Sequence, residues 1–229
     1  MDRVFTYHEL PFDNIRYAAI ALCSVTPTQR YIGVLHRQPD SHEIRMLHLA
    51  WHHDLQNSTP KPKYLWIDPA IHARRLRQVA AVCRHIWRAN GKAIPYAFSP
   101  PNDCFDEQTG HYLLGPTRHG LTCASFVLAI FERAGLNLAD YATWPTDREG
   151  DREWQEWIVS QLEKSVPPAS AEHIQAVLRE VGSVRFRPEE VAGAATVSPL
   201  PAVFRLAVER GDQIVAKLTQ GPPRPEGRG

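Results

Sequence analysis

Cys123 is the residue of this chain best placed for nucleophilic chemistry, because it stands at the predicted start of an apolar helix. A helix N-terminus stabilises a thiolate through its free N–H groups and the positive end of its dipole. The same N–H groups can hold the oxyanion of a tetrahedral intermediate. Judged by its position alone, Cys123 could equally be a small buried residue at a helix start with no chemical role, and this is the competing interpretation. Cys104, in a long polar loop, is the rival nucleophile.

A cysteine nucleophile also needs an imidazole within hydrogen-bond reach and a polar group that fixes the tautomer of that imidazole. Ten of the eleven histidines lie between His8 and His119, and only His173 follows. We take His48 as the candidate base, because it faces away from the apolar side chains of a predicted strand. His52, on the same face, and His119, just before the cysteine, are the alternatives.

The elements that position these residues are a sheet followed by helices. Apolar or alternating runs predict an antiparallel sheet with strands over residues 17–23, 31–36, 44–52 and 64–67. Helical spacing and capping residues predict helices from Pro69 to Gly91 and over 123–134, 151–164 and 171–181, with a short helix from Pro188. Residues 92–120 are expected to form a long loop, and 201–218 is ambiguous between helix and strand.

The cysteine segment, CASFVLAIFERAGLNL, resembles the catalytic segment of NlpC-type papain-fold peptidases, in which cysteine and two small residues open an apolar helix. The preceding IPYAFS resembles the tyrosine-containing stretch of that family, which implies that Tyr96 neighbours the thiol. The family strand His-Val-Gly-Ile-Tyr is similar to the segment from His48 to His52, with Ala50 replacing glycine. The segment YIGVL also partly matches this strand, with Tyr31 where histidine belongs.

A histidine strand that precedes the cysteine helix is the order of the circularly permuted papain-like branch, which includes lecithin:retinol acyltransferase-like proteins. The resemblance covers about residues 17–140 and implies an α+β fold with the nucleophile at a helix N-terminus. It departs from the family at Thr122, where aspartate is common, and in the Ala-Ser pair that replaces Ser-Gly. The family expects a polar orienting residue on the next strand, and Asp68 is the candidate, although Asp68 also suits the N-cap of the following helix.

The function that the resemblance implies is a thiol-dependent hydrolase that cleaves an amide or peptide bond. Cys123 would attack the carbonyl, His48 would carry the proton, and Asp68 would orient the imidazole. The Cys123 N–H, with Tyr96, would stabilise the oxyanion. An acyltransferase or thioesterase with the same dyad, and a catalytically silent binding or regulatory protein, are the alternatives.

Charge and composition narrow the classes of function that the protein can have. The chain carries 26 basic and 25 acidic residues, and 43% of its residues are hydrophobic, which is typical of a globular protein that does not bind nucleic acid. We predict one domain over residues 1–218, with a helical extension from about residue 150 that is available to a protein partner. A disordered tail is expected over 219–229.

No cofactor or metal is expected from the motifs. Glycine-rich phosphate-binding patterns are absent from the sequence. His48 and His52 have the HxxxH spacing of metal ligands on a helix, but in a strand they would lie about 13 Å apart.

The N-terminus has no secretory pattern, and no run approaches the roughly 18 apolar residues that span a bilayer. A cytoplasmic protein without membrane insertion is therefore the expectation, with export by a signal-independent route left open.

Overall fold

The computed structural model describes residues 2–115, 118–146 and 148–220. Six strands form one antiparallel sheet in the order β1-β6-β2-β3-β4-β5. The strands are β1 (Val4–Phe5), β2 (Ala18–Ser24), β3 (Arg30–Arg37), β4 (Ile44–Trp51), β5 (Asp54–Ser58) and β6 (Leu65–Ile67). The fold class is therefore α+β, as predicted.

Within the described residues there are six α-helices and two short 3₁₀ turns. The helices are α1 (Ala73–Asn90), α2 (Cys123–Arg133), α3 (Asp151–Lys164), α4 (Ala171–Arg179), α5 (Pro188–Ala194) and α6 (Phe204–Gln220). The 3₁₀ turns are Phe12–Asn14 and Tyr141–Thr143. The ambiguous segment 201–218 is thus mostly helical. The tail predicted over 219–229 begins inside α6, and its residues 221–229 lie outside the described residues.

The sheet separates two apolar clusters, because successive side chains of a strand point to opposite faces. Leu47 and Leu49 of β4 belong to the main cluster, which includes α1, α2 and side chains of the later helices. Met46 belongs to the second cluster, on the other face of the sheet, with Leu35 of β3. Helix α2 therefore packs on the face of β4 that carries Leu47 and Leu49.

Helix α2 begins as the sequence predicts. The Thr122 hydroxyl accepts from the Ser125 N–H at 3.1 Å, and the Ser125 hydroxyl accepts from the Thr122 N–H at 2.8 Å. This reciprocal capping box fixes the first turn of the helix and, with it, the position of Cys123. The helix interior is buried as far as Phe131, so α2 is a central element of the core.

Two predictions about local structure were wrong. The N-cap of α1 is His72, whose ring accepts from the Arg74 N–H at 3.2 Å, and not Asp68. Asp68 lies too early in the chain to cap a helix that begins at Ala73. Strand β5 lies in a polar segment between two predicted strands, for which the sequence predicts no strand; it pairs with the edge of β4, with Leu49 opposite Leu55.

No helix in the described part of the chain is long and apolar enough to cross a bilayer.

Candidate active site

The thiol of Cys123 lies at the first turn of α2, against the start of β3. The backbone amides of Ile32 and Ala124 and the hydroxyl of Tyr96 lie close enough to the sulfur to lower the pKa of its thiol. The β3–β4 ladder has its first pair at Val34 and Leu47, so Ile32 lies where the two strands separate. Polar groups from three separate segments thus surround one sulfur.

The protonation of this thiol is decided by competition between burial and those polar groups. Burial raises the pKa of Cys123 to about 11, while the polar groups of Ile32, Ala124 and Tyr96 lower it. Burial also raises the pKa of Tyr96 well above its ordinary range. Cys123 is 7% exposed, so the resting thiol is neutral near pH 7 and must lose its proton during any reaction.

Cys123 borders a cavity of about 240 Å³ between the sheet and the C-terminal helices. Its wall includes Tyr31, Trp51, Tyr96, Cys123, Trp154 and Trp157. The sequence predicts the helix that carries the two tryptophans of α3. No motif in the sequence indicates that this helix lies beside Cys123. The resulting arrangement is a thiol at the edge of a cavity to which six aromatic side chains contribute, Phe186 among them.

His48 does not hydrogen-bond the Cys123 thiol. Its Nδ1 is hydrogen-bonded to the Tyr31 hydroxyl at 2.5 Å, and its Nε2 lies 3.1 Å from Ser58 Oγ. As predicted, His48 faces away from Leu47 and Leu49, but α2 packs on the face that these two leucines form. His48 therefore lies on the side of the sheet away from α2.

Tyr31 connects this histidine to the cavity. Its ring packs against both apolar clusters and lines the Cys123 cavity, while its hydroxyl reaches His48. Burial raises the pKa of Tyr31 well above its ordinary range, and the nearby Cys123 raises it further. Burial lowers the pKa of His48 to about 4, so the imidazole is neutral at pH 7 and can accept a proton.

Gly33 makes room for the Tyr31–His48 pair. A Cβ atom at Gly33 would lie 2.5 Å from Met46 Cε and 2.9 Å from His48 Cβ. A side chain at this position would push His48 away from β3, so the glycine of the YIGVL segment keeps the histidine close to Tyr31.

Two further histidines hold the backbone of Tyr96. His52 Nδ1 accepts from the Tyr96 N–H at 3.2 Å, and His173 Nε2 donates to the Tyr96 carbonyl at 3.0 Å. The two rings lie 4.4 Å apart. His52 thus supports the site as a positioning residue and not as the base considered from the sequence. The structure also gives His173, which the sequence singled out only by its isolation, a place beside Tyr96.

The remaining sequence candidates lie elsewhere. Asp68 follows β6 at the end of the sheet remote from the β2–β3 turn, where it bonds Arg3 at 2.9 Å and does not meet His48. The His119 N–H donates to Ser99 Oγ at 2.8 Å, and His119 lines a different cavity. Cys104 donates to the Pro100 carbonyl, and burial raises the pKa of its thiol to about 12.

Within the described residues, no three histidine, cysteine, aspartate or glutamate side chains form a group that could hold a metal ion. Comparison with known proteins found no matching family model, no matching curated protein and no matching solved structure. Functional inference for this chain therefore depends on its own residues.

The buried histidines predict how stability depends on pH. Burial lowers the pKa of His36 and of His48 to about 4, so the unfolded chain binds more protons than the folded one between about pH 6.5 and 4. Their contribution to stability is complete above about pH 6.5 and is lost as the pH falls towards 4. We expect His48→Gln to flatten this dependence by up to about 1.4 kcal/mol per pH unit, measured by urea unfolding.

Subtracting the pH dependence of His48→Gln from that of the wild type gives the contribution of His48 alone. Buried carboxyl groups such as Glu180, whose pKa is raised, change the stability in the opposite direction with pH and cancel in this comparison. His8→Gln, at an exposed position, is the control and should leave the pH dependence unchanged. Equal slopes for wild type and His48→Gln would contradict a buried neutral imidazole.

Proposed function

We propose that this protein is a thiol-dependent hydrolase of an amide or peptide bond, built on a permuted papain-like arrangement in which Tyr31 occupies the family's histidine position. The observation that carries this proposal is the position of Cys123, at the first turn of α2 and in the wall of a cavity that Tyr31 and Tyr96 also line. The 2.5 Å hydrogen bond from Tyr31 to His48 connects the cavity to a neutral imidazole.

In the proposed reaction, Cys123 Sγ adds to the carbonyl carbon of the substrate. The Tyr31 oxygen takes the thiol proton as its own proton passes to His48 Nδ1, which leaves an imidazolium. The oxyanion is held by the Ile32 and Ala124 amides and the Tyr96 hydroxyl, which surround the sulfur. The step uses the tautomer in which Nδ1 accepts, and in that tautomer the Nε2–H can donate to Ser58 Oγ, 3.1 Å away.

The second half of the reaction returns the proton. As the C–N bond breaks, the proton passes back through Tyr31 to the leaving amine, and a thioester remains on Cys123. Water then adds to the thioester, the carboxylic acid is released, and the thiol is restored. Transfer of the acyl group to another nucleophile instead of water would make the same site an acyltransferase.

A binding protein without catalysis is the second candidate. Burial keeps the pKa of Cys123 at about 11, and within the described residues no histidine hydrogen-bonds its sulfur. Such a site would use the thiol as a neutral hydrogen-bonding group in the cavity wall.

Acylation by p-nitrophenyl acetate near neutral pH distinguishes the two. For a hydrolase, mass spectrometry should locate a transient acetyl group on Cys123, formed faster in the folded protein than in the chain unfolded in urea. Cys123→Ala should abolish it, while the buried thiols of Cys23 and Cys83 stay unmodified. Slower acetylation of Cys123 in the folded protein than in the unfolded chain would refute the hydrolase and favour the binding protein.

A further inference from the structure

The charged side chains in the wall of the Cys123 cavity differ in whether an opposite charge of the protein pairs with them. Arg30, Arg185 and Glu189 all line the cavity. Arg185 donates to Asp151 Oδ1 at 3.0 Å, and both Asp151 and Glu189 interact electrostatically with it. Glu189 also interacts with Arg187. Arg185 is therefore paired with acidic groups of the protein, although its Nε is buried without a hydrogen-bond partner.

Arg30, at the start of β3, forms no such pair with an acidic group of the described residues. Its Nε is buried without a hydrogen-bond partner, and no acceptor within the described residues binds its guanidinium. Buried donors are normally satisfied, and a guanidinium that lacks an internal acceptor is suited to an anionic ligand. Arginine matches a carboxylate especially well, because its planar donors form two parallel hydrogen bonds with the two oxygens.

Arg30 is also close to the reacting group. It stands two residues before Ile32, whose backbone amide lies close enough to Cys123 Sγ to lower the pKa of the thiol. Alternation along β3 puts the side chains of Arg30 and Ile32 on the same face, and Ile32 packs in the cluster that contains α2. A ligand carbonyl at Cys123 would thus have the guanidinium within the same cavity.

Tryptophans form part of the cavity wall. Trp51 of β4 and Trp154 and Trp157 of α3 line the cavity; the Arg185 guanidinium lies over the Trp154 ring at 3.9 Å, and Trp157 is 45% exposed. Indole rings offer large apolar contact at little conformational cost. An aromatic or large apolar group on the ligand would cover this wall.

We infer that the cavity binds an amide whose carboxylate is held by Arg30 and whose aromatic or large apolar group packs on the tryptophans. As a statement about substrate, the inference rests on the proposed function. Binding itself needs no thiol chemistry, so the two can fail separately.

The test compares N-acetylphenylalanine with N-acetylphenylalaninamide, which differ by the charge of one group, by isothermal titration calorimetry. We expect the acid to bind about tenfold or more tightly than the amide, as a charge-assisted pair should. Arg30→Gln should reduce the affinity for the acid to that for the amide. Arg77→Gln, at an exposed position on α1, should leave the preference intact.

Equal affinities for acid and amide, a preference that survives Arg30→Gln, or no binding of either compound at millimolar concentration would each overturn the inference. The titrations are repeated with Cys123→Ala, which cannot form a thioester. A preference that persists there supports the inference, and it does so even if the wild-type protein forms no acyl adduct. That combination would refute the hydrolase alone.

Discussion

Replacing Tyr31 by phenylalanine is expected to lower the rate of Cys123 acylation at least about 100-fold, because the variant removes the hydroxyl that carries the proton. The ring still packs against both apolar clusters, so the fold should persist. The measurement is the pre-steady-state release of p-nitrophenolate, with the adduct counted by mass spectrometry. His48→Gln should give a similar loss, because both residues belong to one proton path.

The double variant separates a proton path from two independent packing effects. If Tyr31 and His48 act as one unit, combining the substitutions should cost little more than either alone. Tyr17→Phe, which removes a hydroxyl beside the opposite end of β2, is the matched control and should retain the wild-type rate. Additive losses, or an unchanged rate in Tyr31→Phe, would remove Tyr31 and His48 from the mechanism.

A second large effect is expected from the buried charges that join α3 to the segment before α5. Asp151 accepts from Arg148 at 2.9 Å, Arg185 at 3.0 Å and Arg187 at 2.8 Å, and its side chain is 5% exposed. Arg148 also bonds Glu190. Asp151→Ala would leave three partly buried guanidinium groups short of an anion, so we expect unfolding in urea to require roughly 3–5 kcal/mol less free energy.

Asp68→Ala provides the comparison, because Asp68 pairs with Arg3 at the surface. The two side chains of that pair are 44% and 49% exposed. Solvent screening limits such a pair to less than about 1 kcal/mol. If the two substitutions cost the same free energy of unfolding, the charge cluster around Asp151 does not hold the helices together as we infer.

Features encoded within a few residues could be predicted from the sequence. The start of α2 at Cys123 follows from Thr122 and Ser125, which cap the helix locally. The bounds of α3 follow from its own apolar spacing, and Pro188 begins α5 because proline suits a first helical turn. The family resemblance added Tyr96, whose hydroxyl lies close enough to Cys123 to lower the pKa of the thiol.

The position of His48 relative to Cys123 could not be predicted in this way. The alternation of β4 gave the direction of His48 correctly, but only packing decides which face of a sheet receives a helix. Because α2 covers Leu47 and Leu49, His48 reaches the cavity only through Tyr31. The pairing of β3 with β4 brings together two side chains that are 17 residues apart in the chain.

The sequence alone thus determined where Cys123 stands, because a helix cap and an apolar stripe are properties of neighbouring residues. The tertiary structure decided what surrounds it: Ile32 from a strand end, Trp154 from a helix without a motif, and Arg30, whose buried Nε has no hydrogen-bond partner among the described residues. These contacts join segments far apart in the chain. Their formation depends on strand register and helix packing, which are settled by the burial of the whole core and leave no local pattern.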